Sequence, residues 1–152
     1  MNVEYDDLSD GEIDIVLYEK YPGDSTKGFV PVFKFSILLN KTGEKIGYIN
    51  LRLKDTEKIV RYIGHIGYGI NEAFRGNKFA SKACNLVKKV ANDLGMEKLV
   101  ITCNPDNYAS KRTCEIIGAK LIEIVDIPET SDAFSVDEQK KCRYEWVIRN
   151  TY

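Results

Sequence analysis

The sequence predicts an α/β protein of the α+β kind, one domain with a mixed, mostly antiparallel central sheet of about seven strands and two principal helices. Three observations predict it. The first third alternates apolar and other residues with period two. Two later segments carry apolar residues at helical spacing. Each of those segments lies between strand-like runs, so the order is several antiparallel strands, then βαβα, then a closing strand pair. At 152 residues the chain is long enough for one substantial core and short for two, and residues 1–152 are taken as a single domain.

Ile13, Ile15 and Leu17 alternate with Asp14, Val16 and Tyr18, and Phe33, Phe35, Ile37 and Leu39 alternate with Val32, Lys34, Ser36 and Leu38, which gives the first two strands. Lys20 to Pro31, rich in proline and glycine, is a loop. Asn40-Lys41-Thr42-Gly43 turns into a strand over 45–53, and a turn near 55–58 leads to a strand expected over 59–70. The end of that strand, Gly64-His65-Ile66-Gly67-Tyr68-Gly69, is rich enough in glycine to mark a bulge or a close approach of backbone or ligand. From Lys78 to Leu94 the set Ala80, Ala83, Cys84, Val87, Val90, Ala91 and Leu94 forms a helical stripe, stopped by Gly95. Leu99 to Cys103 is a short buried strand, Asn104-Pro105-Asp106-Asn107 breaks it, and a second helix carries Ala109, Thr113, Ile116 and Ile117 to Gly118. Lys120 to Ile127 and Arg143 to Ile148 are the last strands, separated by a polar loop over 128–139.

A net charge of −1 with 30% charged residues gives no global basic field, which argues against nucleic acid and anionic membranes as partners. The acidic start, Met1 to Asp7, lacks a basic region and an apolar run, so a cytoplasmic protein is expected. Cys84, Cys103, Cys114 and Cys142 are widely spaced, and His65 is the only histidine, so no metal site is expected. Cys84 and Cys103 fall at core positions.

The chemistry concentrates where the strand ending near Ile70 runs through Arg75-Gly76-Asn77-Lys78-Phe79-Ala80 into the first helix. The first amides of a helix lack intrahelical acceptors and sit at the positive end of the macrodipole, so such a junction holds an anion. Arg75 and Lys78 add positive charge there. A dinucleotide fingerprint starting at Gly67 would need glycine where Glu72 stands, and no Walker-type Gly-Lys-Ser/Thr occurs.

This pattern resembles the GNAT superfamily of acyl-CoA-dependent N-acyltransferases from about Lys45 to Ile148, in the subgroup of the ribosomal-protein acetyltransferases. Arg75 to Ala80 matches the family's pyrophosphate loop, Arg/Gln-x-x-Gly-x-Gly/Ala, with Lys78 in place of its middle glycine. Asn107-Tyr108-Ala109-Ser110 and Ile116-Ile117-Gly118-Ala119 resemble its Asn-x-Ala-Ser segment and terminal Gly-Phe, with Ala119 in place of the aromatic. The resemblance implies acetyl-CoA as acyl donor, bound by Ile70, Arg75, Gly76, Asn77, Lys78, Phe79, Ala80, Asn107 and Ser110. Ile70 or a neighbour would supply the oxyanion amide, and Asn107 would touch the pantetheine arm.

Direct transfer to a primary amine is the implied reaction, with a small-molecule or protein amine as acceptor and a monomer or homodimer as the assembly. His65 is the candidate general base, or else a histidine bonded within the sheet. Cys114, four residues before Gly118, is the candidate general acid or a packing residue; Tyr108 is an alternative donor, and an acyl-enzyme on Cys114 a further route. The alternative function is a GNAT-fold module that binds acyl-CoA without turnover. Such families place helices between the first two strands, and Lys20 to Pro31 is too short and too broken for them, so a wider acceptor cleft is expected.

Overall fold

A computed structural model describes residues 8–149; the acidic Met1 to Asp7 stretch and residues 150–152 lie outside the described residues. Strands β1 (Ile13–Tyr21), β2 (Val32–Leu39), β3 (Lys45–Arg52) and β4 (Ile66–Ile70) form an antiparallel sheet in sequential order. Helix α1 (Phe79–Asp93) follows, then β5 (Lys98–Cys103), helix α2 (Tyr108–Ile117), β6 (Lys120–Asp126) and β7 (Lys140–Val147). The last three strands form a second antiparallel sheet in the order β5-β7-β6. Seven strands and two principal helices match the predicted class, with the strands divided into sheets of four and three.

Alternation builds the core. Ile13, Ile15, Phe35, Ile37, Ile49 and Leu51 are buried on one face of the first sheet, against the α1 stripe of Ala83, Cys84, Val87, Val90 and Ala91. Each large aliphatic side chain removed from water there contributes about 1.5–3 kcal/mol. Leu99 and Ile101 of β5 and Tyr144 and Trp146 of β7 continue the core into the second sheet. All four cysteines are free and buried.

The segment expected as the first half of a strand over 59–70 folds otherwise. Ile59–Ile63 is one wide helical turn, closed by Gly64 N donating to Ile59 O at 2.7 Å. Thr56 starts it: its Oγ1 accepts from Ile59 N and its carbonyl from Val60 N. Local capping overrides the strand propensity of Ile59, Val60, Tyr62 and Ile63. Arg143 Nε donates to Val60 O at 2.8 Å and Thr102 Oγ1 to Tyr62 O at 2.9 Å, which fasten the turn to the second sheet.

Between β4 and β5 the ladder is missing except at one bridge, Gly64 to Ile101. Gly64 sits at φ 80, and a Cβ there would lie 2.9 Å from Val100 O, so both its conformation and the approach of the sheets require glycine. His65 completes the joint. Its backbone N donates to Val100 O at 2.7 Å, and its ring Nδ1 accepts from Val100 N at 2.9 Å, so one residue pairs both polar groups of Val100. Nε2 therefore carries the ring proton and donates to Asp55 Oδ1 at 2.6 Å.

Burial, opposed by Asp55, holds His65 below its ordinary value of 6.5. The folded state then binds fewer protons than the unfolded chain, so this stabilisation is full above about pH 6.5 and is lost as pH falls through the folded value. The unfolding free energy from urea titration is expected to decline between about pH 7 and pH 5, before the carboxylates that sit below 3.8, Asp10 and Asp132, begin to protonate. In His65→Gln this first decline should be absent, and at neutral pH the variant should lose about 1–3 kcal/mol through the strained or missing partner of the buried Val100 amide.

Candidate functional site

The missing ladder leaves one edge of β4 open. Arg52 N donates to His65 O and Asn71 N to Ile46 O, which sets the alternation: His65, Gly67, Gly69 and Asn71 bond toward β3. The backbone amides of Ile66, Tyr68 and Ile70 therefore point away from β3, into the gap. Donors held in a strand edge without a ladder partner are the arrangement that a developing oxyanion needs.

Two clefts enter the gap from opposite ends. The larger, about 570 Å³, is bordered by Ile70, Arg75, Gly76, Lys78, Phe79 and Ala80, with the first turns of α2 opposite. The other, about 350 Å³, is bordered by Arg52, Tyr62, Ile63, Cys103, Glu138 and Lys141. Tyr68, Asn107 and Ser110 border both. The clefts thus meet at one point, where Tyr68 Oη donates to Ser110 Oγ at 3.0 Å across the gap.

The loop before α1 is shaped for an anion. Gly76 lies at φ 86 and Lys78 at φ 63, and Lys78 is the only non-glycine residue at positive φ among the described residues. The chain keeps the conformation in which glycine is the usual residue, at a cost of roughly 1–2 kcal/mol for a side chain there. No side chain caps α1 and no acid stands in its first turn, so its leading amides are left for a ligand. Arg75 Nε donates to Ile70 O at 2.8 Å, which ties the loop to the end of β4. Asn77, expected to touch the cofactor, does not border the cleft; its Nδ2 donates to Phe74 O at 3.1 Å and braces the loop. Asn107 caps α2, its Oδ1 accepting from Ser110 N at 3.1 Å, which places it at the junction of the clefts. These residues fit a pyrophosphate held on backbone amides and an extended arm running along the open edge of β4.

The expected catalytic trio does not assemble. His65, expected as general base, is buried, borders none of the clefts, and has both ring nitrogens engaged, so no lone pair is free to take a proton. Cys114 is fully buried and burial pushes its thiol far above the ordinary range, so it is neither a proton donor to a cleft nor a nucleophile. Cys103 does border the smaller cleft, but burial pushes it up to about 11. Tyr108 is 74% exposed, under Lys111 Nζ at 5.5 Å, and borders neither cleft.

Tyr68 is the site residue that sequence reasoning missed. It is half-buried, and burial raises its phenol above the ordinary value, so it keeps its proton at neutral pH. Its signal was a single aromatic between Gly67 and Gly69 on the strand that leads to the anion loop. Glu138 is the only carboxylate bordering the smaller cleft among the described residues; its Oε1 accepts from Asn104 Nδ2 at 3.4 Å, and Lys141 Nζ lies 3.9 Å from its Oε2.

A sheet opened beside an anion loop defines the acyl-CoA acyltransferase class of fold and site. The chain belongs to the acetyltransferase (GNAT) domain family, whose model matches residues 6–120, and this family uses acetyl-CoA as donor. No curated protein matches the sequence. Among solved structures it is similar to RimL, a ribosomal L7/L12 alpha-N-protein acetyltransferase (20% identity, 79% of this chain and 72% of that one, TM-score 0.62). It is also similar to the microcin C7 self-immunity acetyltransferase MccE, solved with acetyl-CoA and AMP (21%, 77% and 61%, TM-score 0.59). A third is the ribosomal-protein-S5-alanine acetyltransferase of Vibrio fischeri (13%, 77% and 62%, TM-score 0.61). The chain spans under two thirds of the length of the last two. No helix among the described residues is long and apolar enough to cross a membrane.

Lys78→Gly separates conformation from charge. The melting temperature of the free protein is expected to hold or rise, because the left-handed strain is removed. Acetyl-CoA affinity is expected to fall and to depend less on salt, as calorimetric titrations at low and high ionic strength would read.

Proposed function

We propose that this protein is an N-acetyltransferase that moves an acetyl group from acetyl-CoA directly to a primary amine. The observation that carries the reading is the meeting of the two clefts at Tyr68, Asn107 and Ser110, beside the unpaired edge of β4. One cleft ends at the anion loop and suits the donor; the other opens to solvent and suits the acceptor. That two of the similar structures are an alpha-N-protein and a protein-alanine acetyltransferase supports an amine acceptor, protein or small-molecule.

Bound acetyl-CoA supplies the activated acyl group as a thioester. Arg75, Lys78 and the leading amides of α1 hold its pyrophosphate, with Gly76, Phe79 and Ala80 bordering the same cleft, and Asn107 and Ser110 steer the arm toward the junction. The amide of Ile70 or of Tyr68 donates to the carbonyl oxygen as negative charge develops there. Glu138 takes the proton of the acceptor ammonium. As the C–N bond forms and the C–S bond breaks, Tyr68 would give its phenolic proton to the departing sulfur, and the second proton of the attacking nitrogen, lost as the amide forms, would return to Tyr68 through Ser110 and solvent. Cys114 and His65 stay outside the chemistry as core and sheet joint.

The test is thiol release from acetyl-CoA across a panel of primary amines. Amine-dependent release is expected, and Tyr68→Phe should lower kcat by about 10²- to 10⁴-fold, the usual share of a general acid, with the Kd for acetyl-CoA retained. Cys114→Ala should retain turnover, and mass spectrometry should find no acyl adduct on the wild-type protein. Thermal stabilisation by acetyl-CoA with no release from any amine would replace this reading with a non-catalytic acyl-CoA-binding module.

A further inference from the structure

Among the described residues, every cation bordering the acceptor side has a carboxylate partner except one. Lys141 lies 3.9 Å from Glu138. Beyond the acceptor cleft a third cleft of about 280 Å³ opens on the outer face of β2 and β3, bordered by Tyr21, Lys34, Asn50, Arg52 and Lys58. Lys34 pairs with Glu19 at 3.5 Å and Lys58 with Asp132 at 2.7 Å. Arg52 borders both this cleft and the acceptor cleft, and no ion pair involves it among the described residues. Its guanidinium donates to Gly64 O at 3.0 Å through one nitrogen. It lies over Gly67, where a Cβ would stand 3.1 Å from its other terminal nitrogen, so the glycine makes room for it. Burial pushes Arg52 below its ordinary value, and the Tyr48 phenol opposes it.

Two positions back along β3, Asn50 borders the third cleft, but its Oδ1 is enclosed and out of reach from the trough. An unpaired guanidinium with free donors asks for a planar anion. Arg52 borders an open trough, which begins at Tyr68 and runs outward from the reacting point.

We propose that the acceptor amine bears a carboxylate that seats on Arg52. The inference rests on the transferase reading and specifies its substrate class. One unpaired guanidinium balances one negative charge, which favours a carboxylate over a phosphate dianion; the lysines that a dianion would also require are already paired. The carboxylate comes either from a small amino acid or from an acidic side chain beside a protein N-terminus, and the two sources place it at different distances from the amine.

The experiment uses two matched pairs of acceptors that differ only in charge: Asp-Ala-Ala amide with Asn-Ala-Ala amide, and β-alanine with β-alaninamide. In at least one pair the carboxylate member is expected to have the higher kcat/KM, through KM, by about 10- to 100-fold, the span of a hydrogen bond to a charged group. The peptide pair identifies the acidic side chain as the source, the β-alanine pair the small amino acid. Arg52→Gln should bring each pair within about threefold, and Arg52→Lys should restore part of the preference. Thermal stabilisation by acetyl-CoA, unchanged in the variants, establishes that they fold. Equal use of both members by the wild type, or a preference that survives in Arg52→Gln, overturns the proposal.

Binding is read in parallel as the further thermal shift of the CoA-loaded protein with each compound. A shift specific to the carboxylate members and lost in Arg52→Gln, without thiol release, sustains this inference and sinks the transferase reading. Release without carboxylate preference does the reverse. Neither release nor a selective shift overturns this inference as well.

Discussion

The rest of the molecule depends on an interruption: β4 and β5 lie side by side without a ladder, joined by one bridge at Gly64 and Ile101. Two strand edges facing each other would normally pair, since unpaired edge groups invite a partner. Here the pairing is confined to one end, where His65 satisfies both polar groups of Val100 and stops the ladder from extending. Below that point the strands separate, the α1 and α2 side chains fill in behind, and the amides of Tyr68 and Ile70 are left for a ligand. The hydrogen bonds from Arg143 and Thr102 to the wide turn over 59–63 hold the joint from the other side. The site is thus a controlled failure of sheet formation, and the residues that confine it belong to the fold rather than to the chemistry.

Lys78 illustrates how a local rule yields to its surroundings. A lysine at φ 63 is unfavourable in isolation, but its carbonyl accepts from Ser81 Oγ at 2.8 Å and from Lys82 N at 3.1 Å, which fixes the turn into α1. The loop therefore keeps its concave row of amides without the usual glycine and gains a charge beside it. Strain of roughly 1–3 kcal/mol at such a position is common where a ligand is held, because the surrounding bonds over-determine the backbone.

Much of this was legible from the residues. Period-two alternation located β1, β2 and β3, and the α1 stripe from Ala83 to Ala91 is the stripe that packs on the sheet. Gly95 and Gly118 end their helices at positive φ as their positions suggested. The anion loop was legible because its signal is local, a strand, a glycine and two cations before a helix. What was not legible depended on partners distant in sequence. Whether His65 is a base or a joint is decided by Val100 and Asp55, and whether Cys114 meets a substrate is decided by the packing of α2 on the core. The strand propensity of Ile59 to Ile63 was real, but Thr56 and Gly64 determine its fate by capping and turning the chain at its two ends.

The short connection between β1 and β2 has the widest consequence for specificity. Only a three-residue helical turn, Ser25–Lys27, stands there, so the outer face of β2 and β3 has no helix laid across it from that side. A sheet face left open has to be polar, and this one carries Lys34, Asn50 and Arg52 at alternate positions, with Glu19 opposite Lys34 on β1. A helix laid across this face would bring carboxylates or carbonyls to which Arg52 could donate. Among the described residues no such helix covers it, and Arg52, which donates to Gly64 O through one nitrogen, has no carboxylate partner along a trough that continues from the cleft at Tyr68. With a net charge of −1 the molecule exerts no long-range pull on an anion, so recognition of the acceptor must come from such contacts at short range. On the proposed reading, the β3 side chains at this open face, Arg52 first among them, are what an acceptor meets.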